Sequence, residues 1–97
     1  QSDVLVAWAV TDMLRRLHAA SRMRQSGAGP QQIRKDLKLW GPAGDATISV
    51  AGRVSPERLA HLLGDALRHQ QRLRQGLGKA DRMLDVMIVE IADVLAA

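Results

Sequence analysis

The sequence predicts an all-α fold, a single five-helix bundle-like domain, on three observations. Apolar residues recur at three- and four-residue steps along four long stretches. Gly and Pro cluster between those stretches, at 25–30, 41–44, 52–56 and 76–78. The one segment with strand propensity, Thr47, Ile48, Ser49 and Val50, has no second strand-like run to pair its backbone donors and acceptors. A chain of 97 residues suits one domain, 1–97, with one small core. Helices are expected near 3–24, 30–40, 45–52, 55–75 and 80–95.

The first helix is the longest apolar-periodic run and the element on which the others should pack. Val6, Val10, Met13, Leu14, Leu17 and Ala20 follow one face, and Thr11, Arg15, His18 and Arg22 the opposite one. Val4, Leu5, Ala7, Trp8 and Ala9 make its first two turns apolar nearly all round. Those turns therefore call for cover on more than one side, with Trp8 and Leu14 buried. The wholly apolar part, Val4 to Val10, is too short to span a membrane, which takes about 20 residues.

The segment Gln25 to Pro30, QSGAGP, stops this helix and lets Pro30 open the next. Ile33, Leu37 and Trp40 form the expected buried stripe of the second helix. Gly41 and Pro42 are expected to end it, so that the first two helices make a hairpin. Over residues 43–54, Asp45 is an acceptable helix start and Ile48, Ala51 and Val54 fall on one helical stripe, which favours a short helix. Ser55, Pro56 and Glu57 then place a side-chain cap, a preset dihedral and a negative charge at successive positions of a helix start. Leu59, Leu62, Leu63, Ala66, Leu67 and Leu73 are its stripe, and Gly76 or Gly78 its end. In the last helix Leu84, Met87, Ile88, Ile91 and Leu95 should be buried, with Arg82, Asp85, Glu90 and Asp93 in solvent.

The net charge of +4 comes entirely from residues 1–40, which hold seven Lys/Arg against three Asp/Glu, while residues 41–97 are balanced at seven against seven. A pI near 10.7 permits contact with phosphate or an acidic partner. The only aromatics, Trp8 and Trp40, cannot make a stacking platform for single strands. The helix near 30–40, with Arg34, Lys35 and Lys38, is the candidate DNA contact should the domain be a small helical DNA-binding module. A generic helical dimerisation domain is a third possibility.

Signs of catalysis are lacking. Cysteine is absent, which excludes thiol chemistry and is compatible with a reducing cytoplasm. Of His18, His61 and His69, the last two lie eight residues apart on one helix, beyond the one-turn spacing of zinc ligands. The neighbours Glu57–His61, His61–Asp65 and Asp65–His69 suit a surface charge ladder, so no metal site is expected. Gly76-Leu77-Gly78-Lys79 lacks the spacer and preceding strand of a phosphate loop. Asp81, Asp85 and Asp93 sit on an exposed face with no cleft implied. No catalytic residue, cofactor, metal or small-molecule substrate is therefore expected. The chain opens at Gln1 directly into an apolar helix without the order of a signal peptide, as an excised part of a longer chain would.

Four segments, in order and at similar spacing, resemble the C-terminal domain of the delta subunit of the bacterial DNA polymerase III clamp loader. They are LVAWAVTDMLRRL (Leu5 to Leu17), PQQIRKDLKLW (Pro30 to Trp40), SPERLAHLL (Ser55 to Leu63) and RQGLGKADRML, which runs through Gly76 to Leu84. The match covers nearly the whole chain. It departs from the family at the end of the fourth helix, where Gln70 and Arg74 precede Gly76 and the family usually has an acidic residue. The resemblance implies a collar domain that packs with the C-terminal domains of neighbouring subunits and so holds a cytoplasmic clamp loader together during DNA replication. It implies no enzymatic activity for this domain, although the holoenzyme served is a DNA-directed DNA polymerase. Contact with DNA would be weak or absent, and no membrane is involved.

Overall fold

The computed structural model describes residues 3–76 and 80–96, with side chains at 4–76 and 85–96. Five helices follow in order: α1 (Asp3–Gln25), α2 (Pro30–Leu37), α3 (Gly41–Ala51), α4 (Pro56–Arg74) and α5 (Ala80–Ala96). There is no strand among the described residues. The β-prone Thr47–Val50 stretch is helical, as its stripe of Ile48 and Ala51 requires; both are buried, as is Val54 just beyond.

Two hydrogen bonds fix the directions of the three long helices. The Ser21 hydroxyl, in the last turns of α1, donates to the Val54 carbonyl at 3.0 Å just before α4 begins. Arg53 Nη1 donates to the Leu95 carbonyl at 2.9 Å, which brings the end of α5 to the same place. Accordingly α1 and α5 run one way and α4 the other, within a body measuring 42 × 22 × 19 Å.

The core has two parts that share α1. Leu14 and Leu17 of α1, Leu59, Leu62 and Ala66 of α4, Met87 and Ile91 of α5, and Val54 form the larger. Ala20 of α1 with Ile33, Leu39, Ile48 and Ala51 forms the smaller, where α2 and α3 fold over the second half of α1. Ser55 caps α4 as its position promised, its hydroxyl accepting from the Arg58 amide at 3.2 Å.

Several expectations are corrected. The buried face of α1 is rotated from the aliphatic stripe: Ala7, Thr11, Leu14, Leu17, Ala20 and Ser21 are buried, Val6 and Val10 half-buried, and Met13 exposed. α1 packs chiefly on α4, and small side chains let two helices approach where Met and Val would hold them apart. Thr11 tolerates this because its hydroxyl donates back to the Ala7 carbonyl at 2.8 Å. Trp8, expected in the core, is 54% exposed beside exposed Val4 and Leu5, so the first turns of α1 are covered on one side only.

The second boundary is also displaced. α2 stops at Leu37, with Lys38 in the left-handed conformation at φ 55°, and the Leu39 amide reaches back to the Arg34 carbonyl at 2.9 Å. Gly41 and Pro42 begin α3 rather than ending α2, because a proline at a helix's first positions removes an amide that has no intrahelical partner anyway. Trp40 consequently leaves the stripe, 67% exposed, and Leu39 takes the buried place. Of the stripes expected on α4 and α5, Leu67 and Ile88 are exposed and Leu63, Leu73 and Leu95 half-buried, while His69 and Gln70 are unexpectedly buried. The side chains of Asp81, Arg82 and Leu84 lie outside those described, as does the whole of the Leu77-Gly78-Lys79 segment.

Candidate functional site

Uncovered apolar surface is the most prominent feature. In the first turns of α1, Val4, Leu5 and Trp8 stand exposed at i, i+1 and i+4. On α5, Val86 and Val89 are 61% and 60% exposed, one turn apart on the side away from buried Met87 and Ile91. The helix directions place the start of α1, the end of α4 and the start of α5 at one end of the bundle, so these side chains, with Leu67 of α4, lie in the same half of the molecule. Met13 faces a groove of about 440 Å³ between α1 and α3, whose lining includes Ala9, Leu17, Ala43, Val50 and Leu95.

The basic helix is less available than its sequence suggests. Arg34 is ion-paired to Asp45 of α3, and its side chain is 23% exposed. Lys35 and Lys38 are exposed, Lys38 at the left-handed turn where α2 has already ended. An electrostatic footprint on duplex DNA draws on several unpaired cations along one element. Here one of the three is committed to an internal contact that joins α2 to α3.

One polar cluster was only half legible in the spacing. His61 and Asp65 meet as the ladder on α4 requires, Nε2 to Oδ2 at 3.5 Å, and Arg68 donates to the other oxygen of Asp65. Glu90 of α5 completes a trio whose ligand-type atoms all lie within 4.8 Å of one another. His18 is half-buried on α1 and His69 buried on α4, apart from this cluster. Asp85 and Asp93 are exposed on α5.

No helix among the described residues is long and apolar enough to cross a membrane. Comparison with protein-family models, with curated proteins and with solved structures finds no match.

Proposed function

We propose that this chain is an assembly domain of the collar type, similar to the C-terminal domain of the clamp-loader delta subunit. In this reading it binds the helical C-terminal domains of neighbouring loader subunits in the cytoplasm during DNA replication. The observation that carries it is the exposed apolar surface of Leu5 and Trp8 on α1 and Val86 and Val89 on α5. Aliphatic and indole side chains left outside a domain's own core, with carboxylates such as Asp85 and Glu90 beside them, are what a protein–protein contact requires. The ordered resemblance of four segments supplies the kind of partner. The domain itself performs no chemistry in this reading.

Mixing the 97-residue chain with the C-terminal domains of the other loader subunits, and separately with the sliding clamp, tests the proposal on a sizing column. Co-elution with the former and none with the clamp alone is expected. Tight capture of the clamp, or no interaction with any loader subunit, would sink it. Tight duplex binding with a steep salt dependence would instead favour the basic-helix reading of Arg34, Lys35 and Lys38.

A further inference from the structure

We propose that His61, Asp65 and Glu90 form a zinc site that fastens α5 to α4. His61 and Asp65 lie one turn apart on α4, and Glu90 reaches them from the facing helix. Two ligands bound to one zinc at about 2.0–2.2 Å in tetrahedral geometry stand roughly 3.4 Å apart. The 3.5 Å between His61 Nε2 and Asp65 Oδ2 is already such an edge. The carboxylate of Glu90, within 4.8 Å of both, closes the third corner with a modest side-chain rotation. A water completes four-coordination on the solvent side, where the His61 side chain is 71% exposed.

Two features separate this trio from a chance meeting of surface charges. The first is how Asp65 divides its oxygens: Oδ1 accepts from Arg68, and Oδ2 is turned to His61. A ligating carboxylate is commonly oriented by such an outer hydrogen bond, which here leaves the inner oxygen aimed at the site. The second is the backbone beneath it. Leu62 and Ala66 adjoin His61 and Asp65, Ile91 adjoins Glu90, and all three belong to the larger buried cluster. The donors thus project from the rim of a packed helix–helix seam. One imidazole with two carboxylates suits zinc better than calcium or magnesium, which favour all-oxygen sets. The two carboxylates with Arg68 leave a net negative charge for the cation.

Titration calorimetry with zinc chloride on the 97-residue chain tests this. One zinc per chain is expected, with affinity reduced about tenfold or more in His61→Ala and in Glu90→Gln. Asp93→Asn, at an exposed carboxylate on the same helix as Glu90, should bind as the parent does. Amide hydrogen exchange across residues 85–92 should slow on zinc addition, and should not slow in Glu90→Gln. All three substitutions are at exposed side chains, and circular dichroism verifies that each variant keeps its helices. Absence of saturable binding, parental affinity in Glu90→Gln, or equal affinity for calcium overturns the site.

Discussion

Gly44 is buried because the first turn of α3 folds back at backbone distance on Leu39, in the link from α2. A Cβ at this position would lie 2.7 Å from the Leu39 carbonyl carbon and 2.9 Å from its oxygen. A main-chain group cannot swing aside, so Gly44→Ala should destabilise by about 1–3 kcal/mol, despite alanine's better helix propensity. Urea denaturation reads this directly, and an unchanged midpoint would mean that α3 does not seat on Leu39. Leu14 lies in the larger cluster with no exposure, and Leu14→Ala should cost about 2–5 kcal/mol, a large part of a total of about 5–15. Both positions could be weighed from sequence to different degrees. Leu14 stood on the apolar stripe, whereas Gly44 looked like loop punctuation beside Pro42. Trp8 was misplaced because an all-round apolar turn does not reveal which of its sides meets the core.

At the scale of elements, existence was legible and boundaries less so. Five helices were expected and five are seen among the described residues, since apolar periodicity and the Gly/Pro clusters carry that information. What spacing could not reveal is the end of α2, which is made by a lysine. α1 closes with Gly27 at φ 96° and the Ala28 amide bonded to the Met23 carbonyl at 3.0 Å, and α2 repeats this geometry with Lys38 in the glycine's place. A side chain in the left-handed region costs about 1–2 kcal/mol. Lys38→Gly should therefore raise stability by up to about 1 kcal/mol, part of the gain being offset by glycine's greater freedom in the unfolded chain. A lower thermal midpoint in this variant would contradict the cap. The metal-type trio shows the same limit in another form: the His61–Asp65 half is a spacing on one helix, but Glu90 arrives through the tertiary fold.

For the molecule as a whole, folding and association should be separable. Trp8 and Leu5 contribute little to the core, so the double substitution Leu5→Glu, Trp8→Glu should leave the thermal midpoint nearly unchanged while abolishing co-elution with a partner's helical domain. Loss of the fold in this variant would place those side chains inside, against their 64% and 54% exposure.

The two clusters that share α1 also differ in what they ask of time. The smaller draws only on residues 20–51, a continuous segment, whereas the larger must bring Leu14 to Ile91, near opposite ends of the sequence. Closing a long loop is slower than closing a short one, so the local cluster has the earlier opportunity to form. On a ribosome it can close while α5 is still unmade, shielding Ile33, Leu39 and Ile48 before the rest of the chain exists. In refolding experiments Ile48→Val should chiefly slow folding, and Ile91→Val should chiefly speed unfolding. The reverse assignment would mean that the two ends of the chain meet first.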